Sequence, residues 1–189
     1  ADPRIRKITF TGSTEVGIGL LKSAADRVLR SSMELGGNAP LIVLPDADLD
    51  QAVAGAMDAK MRNLGESCIA ANRLLVHESL IDEFTDRFTA AMAAQRVGYG
   101  LEEGTDVGPL VEAAQRDKVL ELVQDAIDAG GRLTTGGQAI DGPGYFMAPT
   151  VVTDIQPGTR ILTEEIFGPF APIISFATED EAVELANAT

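Results

Sequence analysis

The chain has 189 residues, of which 45% are hydrophobic and 5% aromatic, and this suits one globular domain or one domain with part of a second. Its formal net charge of −14 argues against nucleic acid and against an anionic membrane surface as partners, since both are bound by basic faces. No apolar run reaches the roughly 18 residues that a membrane span needs. One cysteine and one histidine cannot form an internal disulfide or close a zinc site, so we expect no metal and a reducing, cytoplasmic setting.

The first part of the sequence predicts a strand, a helix and a second strand. Ile5 to Phe10 is a short β run, and Glu15 to Ala25 has helical spacing after a turn with helix-cap residues. Arg27 to Leu35 is predicted to be extended. The pair Gly36-Gly37 follows, and it is the best candidate for a boundary because glycine interrupts both helices and strands.

The rest of the sequence alternates strands with helices. We predict strands at residues 41–44, 74–76, near 133, 151–152 and 173–176. We predict helices at residues 48–64, 81–94, 112–129 and 179–189. This alternation implies βαβ units, so we expect an α/β fold with a mostly parallel sheet and helices on both faces. Because these patterns reach both ends of the sequence, where natural domains have polar tails, we also expect a fragment of a longer protein.

Cys68 is the single cysteine, and it lies in the polar turn Gly65-Glu66-Ser67-Cys68. A lone cysteine is most often an inert, small apolar residue. A reactive cysteine needs access to solvent and electropositive surroundings, which a loop beside a helix end can offer. His77 follows a predicted strand and is expected to be a solvated strand-end residue, with nothing to indicate a protease-type pair with Cys68.

Glu34 lies in the segment Met33-Glu34-Leu35-Gly36-Gly37. A carboxylate flanked by Met and Leu would be partly desolvated, and desolvation makes a carboxylate a better general base. The alternative is an ordinary turn or helix-cap carboxylate. The segment alone leaves both interpretations open.

Two further segments have simple interpretations when each is taken alone. Residues 12–17, G-S-T-E-V-G, lie where N–H groups at a helix N-terminus can hold a phosphate, but they lack the dinucleotide pattern G-x-G-x-x-G. A strand-turn-helix corner capped by Ser13 or Thr14 is the simpler interpretation. Residues 164–169, E-E-I-F-G-P, join two like charges to an aromatic residue and a tight turn, and solvated charges are the default there.

Taken together, four segments closely resemble the aldehyde dehydrogenase superfamily. They are F-T-G-S-T-x-V-G at residues 10–17, M-E-L-G-G at 33–37, G-E-S-C at 65–68 and E-E-I-F-G-P at 164–169. Their separations are also similar to that family, with 34 residues from Glu34 to Cys68 and 97 from Cys68 to Glu165. The resemblance covers the whole chain.

The resemblance implies an NAD(P)-dependent aldehyde dehydrogenase with a nucleophile and a base. Cys68 would attack the carbonyl of a small aldehyde to give a thiohemiacetal, and hydride would then pass to NAD or NADP. Glu34 would activate the water that hydrolyses the resulting thioester, and the backbone N–H of Cys68 would form half of an oxyanion hole. The resemblance also implies that the full-length parent is a homo-oligomer.

For the cofactor, the resemblance implies contacts from residues in both parts of the chain: Gly12, Ser13, Leu35, Glu165 and Phe167. The turn at Gly12 and Ser13 would hold the pyrophosphate, Glu165 would hydrogen-bond the nicotinamide ribose, and Phe167 would pack near the nicotinamide. Residues 1–36 would be the C-terminal tail of a Rossmann-like dinucleotide-binding domain, and residues 37–189 a truncated catalytic domain.

Residues 60–68, K-M-R-N-L-G-E-S-C, resemble the succinate-semialdehyde dehydrogenase branch, as do residues 168–172, G-P-F-A-P. In that branch an Arg six residues before the nucleophile helps to bind the far carboxylate of the substrate, and Arg62 has this position. The alternative for Arg62 is a solvated helix residue. The sequence departs from the family at Glu66, where Gln is more common, and at Asn38, where Lys commonly follows E-L-G-G.

Other functions remain open at this stage. The chain could be a folded but inactive domain, or an aldehyde dehydrogenase of different substrate range. Members of the superfamily that pass the acyl group to coenzyme A generally lack the glutamate at the position of Glu34. An unrelated thiol hydrolase would leave Glu165 and the segment at residues 12–17 unexplained.

Overall fold

The computed structural model describes residues 2–189, and these divide into two compact units. The first unit ends at Gly37, and the second covers Asn38–Thr189. Among the described residues, helices alternate with strands and most strand pairs are parallel, which confirms the predicted α/β class. No helix in this part of the chain is long and apolar enough to span a membrane.

The first unit is a parallel pair of strands joined by a helix. Its elements are β1 (Lys7–Thr11), α1 (Thr14–Ala25) and β2 (Arg30–Glu34). Ser13 begins the helix, because its Oγ accepts a hydrogen bond from the Val16 N–H at 3.4 Å. Strand β2 begins later than predicted, since the N–H groups of residues 27–29 donate to carbonyls at the end of α1 and form a turn there.

The second unit is built on a five-stranded sheet with the order β3-β4-β7-β6-β5. Its strands are β3 (Ala39–Val43), β4 (Ala71–His77), β5 (Arg132–Thr135), β6 (Thr150–Thr153) and β7 (Phe170–Phe176). Its helices are α2 (Leu49–Met61), α3 (Ile81–Ala93), α4 (Ala113–Asp128) and α5 (Glu179–Ala186). Neighbouring strands are parallel except at one edge, where β5 pairs antiparallel with β6.

Both faces of this sheet are covered by helices. Leu74 and Val76 of β4 belong to a buried cluster with Phe84 and Phe88 of α3, whose rings stack with their centroids 5.6 Å apart. Leu75 belongs to a different cluster, which includes side chains of α5. Because successive side chains of a strand point to opposite faces and both faces of the sheet are covered, residues 71–76 of β4 form an unbroken buried run.

Arg73 ties β4 to both ends of the second unit. Its buried guanidinium donates to the Asn38 carbonyl at 2.8 and 3.1 Å and to the Ala186 carbonyl, at the end of α5, at 3.0 Å. A cation at the C-terminal end of a helix is favourable, because the last carbonyls of a helix have no partners within it. Arg73 therefore fixes the beginning of β4, the strand that follows the Cys68 turn.

Candidate active site

The segment that contains Cys68 begins where α2 ends, at Met61, three residues earlier than predicted. A tight turn covers Arg62–Gly65, and the backbone there is left-handed at Asn63 (φ 51°) and Leu64 (φ 60°), which stops the helix. Asn63 suits this conformation, and its Nδ2 donates to the Glu66 carbonyl at 2.7 Å. Leu64 does not suit it, so the turn stores roughly 1–2 kcal/mol of strain, of the kind that is concentrated at functional sites.

Gly65 brings this turn against the segment that contains Glu165. Its φ is +74°, and a Cβ atom at this position would lie 2.4 Å from the Gly168 carbonyl oxygen. Any side chain would therefore push the two backbones apart. The G-E-S-C and E-E-I-F-G-P segments are therefore in direct backbone contact within the second unit, through two glycines that are 103 residues apart in sequence.

Cys68 lies at the corner of a second turn, closed by the Ala70 N–H, which donates to the Ser67 carbonyl at 3.0 Å. The cysteine is exposed. Within the described second unit, no acceptor pairs with the Cys68 N–H. A thiol open to solvent beside a free N–H can attack a carbonyl carbon while the N–H stabilises the oxyanion that forms.

Arg62 is exposed and lines a small cavity of about 90 Å³ together with Ser67, Ile69 and Ala70, the residues on both sides of Cys68. No acceptor within the described second unit pairs with its guanidinium. An unpaired guanidinium can bind an anionic group through two parallel hydrogen bonds. The structure thus places a cation without a partner in the second unit beside the turn that carries Cys68.

Glu66 stands where the family more often has Gln, and its side chain has a structural partner. Its half-buried Oε1 accepts a hydrogen bond from the Val111 N–H at 3.2 Å. Burial raises the pKa of this carboxyl, and the Val111 N–H opposes the rise. The Oε1 of a glutamine could accept the same hydrogen bond, which explains how the two residue types substitute for one another.

The segment at residues 164–169 is held by side chains of α4. Gln115 Nε2 donates to the Phe167 carbonyl at 2.8 Å, and Lys118 Nζ donates to the Glu165 carbonyl at 3.2 Å. Glu164 pairs with Arg160 at 2.7 Å, and this hydrogen bond lowers the pKa of its carboxyl. Both glutamates are half-buried, so the default expectation of freely solvated charges is wrong. The physical reason is that α4 and the Gly65 turn hold the segment against the second unit.

The first unit brings Glu34 next to the Gly12 turn. Glu34 ends β2 opposite Thr11, and its carbonyl accepts a hydrogen bond from the Gly12 N–H at 3.1 Å. Its side chain is exposed. Of the two interpretations that the segment left open, this exposure favours an ordinary carboxylate over a desolvated one, because neighbours along a strand point to opposite faces.

Leu35 and the Gly12 turn show how this unit is packed. A Cβ atom on Gly17 of α1 would lie 2.6 Å from Leu35 Cδ2, so the glycine makes room for the leucine side chain. A Cβ atom on Gly12 would lie 2.5 Å from Phe10 Cζ, so the phenyl ring covers that glycine. Helix α1 begins directly after Ser13. A helix leaves N–H groups of its first turn without partners inside the helix, so such groups lie next to Ser13.

His77 is the last residue of β4 and is half-buried, so the prediction of a strand end is right and that of a solvated ring is wrong. Its ring donates from Nε2 to the Ala177 carbonyl at 3.1 Å and accepts at Nδ1 from the Ser79 N–H at 3.2 Å. Edge contact with the Phe176 ring, 5.4 Å between centroids, accounts for the burial. Among the described residues, no group of three or more His, Cys, Asp and Glu side chains could hold a metal ion.

The chain belongs to the aldehyde dehydrogenase family, because the model of that family matches residues 1–189. A succinate-semialdehyde dehydrogenase of Paenarthrobacter nicotinovorans is 55% identical over 188 residues, which are 100% of this chain and 42% of that protein. A 3-sulfolactaldehyde dehydrogenase of Pseudomonas putida is 47% identical over 187 residues, 99% of this chain and 38% of that protein. The crystal structure of an NADP-dependent enzyme of E. coli superposes with a TM-score of 0.95 at 42% identity and covers 98% of this chain and 39% of that one. The chain thus spans about two fifths of the length of these relatives.

Replacing Glu66 with Gln is expected to make stability less dependent on pH. Because the pKa of Glu66 is raised in the folded state, the wild type loses free energy of unfolding as pH rises through the unfolded-state pKa towards the folded-state one. The variant has no carboxyl to ionise. The measurement is thermal unfolding of the full-length enzyme, meaning this chain extended to the length of its relatives. We expect the difference in thermal midpoint, variant minus wild type, to be larger at about pH 8 than at about pH 4. A difference that shrinks as pH rises would contradict the burial of this carboxyl.

Proposed function

We propose that this chain carries the thiol chemistry of an enzyme that oxidises an aldehyde to its carboxylic acid with NAD or NADP. The observation that carries the proposal is the exposed Cys68, with its unpaired N–H, on a turn that directly follows a strained one, in a member of the aldehyde dehydrogenase family. A buried thiol or a paired N–H would have favoured the inert interpretation. The sequence resemblance supports a homo-oligomeric parent, and the single cysteine supports a reducing, cytoplasmic compartment.

The chemistry assigned to the chain's own residues has two stages. The Cys68 thiolate forms a bond to the carbonyl carbon, and the Cys68 N–H stabilises the negative oxygen. NAD or NADP, when bound, takes up the hydride from that carbon, which leaves an acyl group on Cys68 as a thioester. Glu34 then takes a proton from water, the hydroxide adds to the thioester carbon, and the acid leaves as the thiolate of Cys68 is restored.

The residues proposed for the cofactor fit a dinucleotide in their chemistry. We propose that Gly12 and Ser13 hold the pyrophosphate, since the unpaired N–H groups at the start of α1 favour an anion. Leu35 and Phe167 would offer apolar contact, and the half-buried carboxylate of Glu165 suits a ribose hydroxyl. The first unit would then be the C-terminal tail of a dinucleotide-binding domain, and the division of the chain into two compact units at Gly37 supports this assignment. The similar E. coli enzyme is NADP-dependent, which supports NADP as the cofactor, and NAD is the alternative.

For the substrate we propose a small aldehyde with an anionic group at its far end, and succinate semialdehyde first. The support is the free guanidinium of Arg62 beside the Cys68 turn and the 55% identity with a succinate-semialdehyde dehydrogenase. A second candidate is an aldehyde that carries a sulfonate, because a 3-sulfolactaldehyde dehydrogenase is 47% identical over 99% of the chain. A guanidinium can bind either anion, so Arg62 alone does not choose between them.

Replacing Arg62 with Ala in the full-length enzyme is expected to lower kcat/KM for succinate semialdehyde by about 10- to 200-fold, since a charge-assisted hydrogen bond is worth roughly 1.5–3 kcal/mol. An uncharged aldehyde of similar length should be nearly unaffected. Arg62→Lys is the matched control, and it should lie between the two because it keeps the charge and loses the two-pronged geometry. The measurement is the ratio of the specificity constants for charged and uncharged aldehydes. An unchanged ratio would mean that Arg62 is a solvated residue at the end of the helix and does not bind substrate. A larger loss of kcat/KM for the sulfonate aldehyde would favour the second candidate.

One assay separates the proposed activity from a folded but inactive domain. A thiol nucleophile with a general base hydrolyses a simple ester without any cofactor, so ester hydrolysis tests Cys68 and Glu34 alone. Reduction of NAD or NADP by an aldehyde tests the whole proposal. We expect the full-length enzyme to do both. Ester hydrolysis without cofactor reduction would support the thiol chemistry of Cys68 and would contradict the proposed dehydrogenase activity.

A further inference from the structure

A cavity of about 370 Å³ lies within the second unit, and the proposed chemistry uses none of its residues. It is lined by residues that follow β4 and end β6, by Ser175 near the end of β7, and by the first turns of α3. The cavity therefore lies at the carboxyl ends of these parallel strands, whereas Cys68 precedes β4 and belongs to their amino ends. In open α/β sheets, ligands typically bind beside the carboxyl ends of the strands, and small-molecule sites have volumes of this size.

Thr85 of α3 lines this cavity and is only 6% exposed. A threonine or serine hydroxyl in a helix can donate to a carbonyl one turn earlier, as the Ser23 hydroxyl does to the Gly19 carbonyl at 3.1 Å in α1. The Thr85 hydroxyl has neither this partner nor any other among the described residues. In the same part of the chain, Asn38 Oδ1 is the one side-chain polar atom that is both sealed in the interior and unpaired. The Thr85 hydroxyl must therefore reach open space, and the space that this residue lines is the cavity.

The wall of the cavity around Thr85 is acidic. Asp82 lies three residues earlier on the same face of α3, and Glu78 lies in the turn before the helix. Neither carboxylate pairs with a cation in residues 2–189, whereas Asp154 accepts a hydrogen bond from Arg132 Nε at 3.1 Å. The first turn of a helix favours a carboxylate, which explains Asp82 but neither Glu78 nor the Thr85 hydroxyl. A cleft lined by one sign of charge concentrates the opposite sign, and here these are cations.

We propose that this cavity binds a small primary amine in its protonated form, with the ammonium group between Asp82 and Thr85. An ammonium group has three N–H donors and no acceptor, which suits a carboxylate and a hydroxyl oxygen that lack partners. Glu78 adds to the negative field, and Ile81 offers apolar contact to a short carbon chain. A metal ion suits the cavity less well, because residues 2–189 contain no group of three or more His, Cys, Asp and Glu side chains that could hold one. The site is separate from the proposed aldehyde oxidation and does not rest on it.

The test is calorimetric titration of the full-length enzyme with butylamine at about pH 7, where the amine is protonated, without aldehyde or cofactor. We expect one site per subunit with a Kd of about 1 mM or below. Butanol has no charge, and tetramethylammonium has a charge but no N–H, so both should bind at least about tenfold more weakly. Absence of saturable butylamine binding, or equal binding of tetramethylammonium, would overturn the proposal.

Substitutions on α3 then locate the site. Asp82→Asn should raise the Kd for butylamine by about tenfold or more, because the ammonium group loses its charged partner. Asp86→Asn is the matched control, since it makes the same change on the same helix at an exposed residue that does not line the cavity. Its Kd should equal that of the wild type. Equal weakening in both variants would show that butylamine is attracted only by the overall charge of α3, and this would overturn the proposal.

Thr85 provides a second pair of variants. Thr85→Val keeps the shape of the side chain and removes the hydroxyl, so the Kd for butylamine should rise by about tenfold. Thr85→Ser keeps the hydroxyl and should bind within about threefold of the wild type. A Thr85→Val enzyme with the wild-type thermal midpoint and the wild-type Kd would overturn the proposal. If Thr85→Val does not fold, Asp82→Asn decides alone, because its side chain is exposed and its loss leaves the packing of α3 intact.

Discussion

Replacing Cys68 with Ala is expected to lower kcat/KM for aldehyde oxidation by at least about 10³-fold in the full-length enzyme. The covalent route divides one difficult step into two easier ones, and without the thiol neither the thiohemiacetal nor the thioester can form. The exposed position of Cys68 makes the substitution harmless to packing, so the thermal midpoint should not change. The measurement is steady-state oxidation of succinate semialdehyde together with thermal unfolding.

Cofactor binding provides the control for this substitution. Cys68 is not among the residues proposed to contact the nucleotide pyrophosphate or ribose, so Cys68→Ala should bind NADPH with nearly the wild-type Kd. Substantial residual oxidation, with unfolding and cofactor binding unchanged, would show that another group is the nucleophile. Since Cys68 is the single cysteine of this chain, that group would have to lie elsewhere in the enzyme.

Replacing Glu34 with Gln is expected to slow the steady state by about 10²- to 10⁴-fold and to leave the first turnover largely intact. Water must lose a proton to attack the thioester, and an amide cannot accept that proton. Formation of the acyl group needs no water, so a rapid burst of NADPH should be followed by a slow phase. The measurement is a stopped-flow trace of NADPH absorbance, in which the burst amplitude reports the fraction of acylated enzyme.

Glu66→Gln is the matched control, because it is the same chemical change two residues from the nucleophile. The Glu66 side chain accepts a hydrogen bond from the Val111 N–H, which assigns it a structural role. Its trace should show the wild-type steady state. If the slow phase appeared in Glu66→Gln and not in Glu34→Gln, the base would be the carboxylate near Cys68 and the assignment of Glu34 would be wrong.

The fold followed from the sequence where periodicity and chain-breaking residues agree. The buried run around Leu74 predicted β4, and Phe84 and Phe88, four residues apart, predicted the buried face of α3, where their rings do stack. Asp48 begins α2 as its side chain predicts, with Oδ1 accepting from the Gln51 N–H at 3.1 Å. These features depend on neighbours within a few residues, so local patterns are enough to predict them.

The details of the candidate site depend on contacts that local patterns do not contain. Leu64 favours a helix by its own propensity, yet it adopts a left-handed backbone because the chain must turn there so that Gly65 can approach Gly168. The burial of Lys60 likewise follows from β4 and cannot be read from α2, where a lysine near the C-terminal end normally lies in solvent. The four family segments gave the residues of the site, and the structure shows how two of these segments meet.

Glu34 shows the opposite limit, in which neighbours in sequence mislead. Met33 and Leu35 flank it and suggested an apolar setting, but alternation along β2 leaves the Glu34 side chain exposed. Its proposed role as the base rests on the family motif and not on desolvation within the first unit. The stopped-flow experiment therefore tests this role independently of any argument from burial.

The most direct test of the central claim is the mass of the Cys68 peptide during turnover. The Glu34→Gln enzyme is mixed with succinate semialdehyde and NADP, quenched in acid during the burst and digested, and the peptides are weighed by mass spectrometry. We predict that the peptide with Cys68 carries the mass of one succinyl group, in an amount equal to the NADPH formed in the burst. NADPH formed while this peptide stays unmodified, or a succinyl group on another residue, would contradict the assignment of Cys68 as the nucleophile.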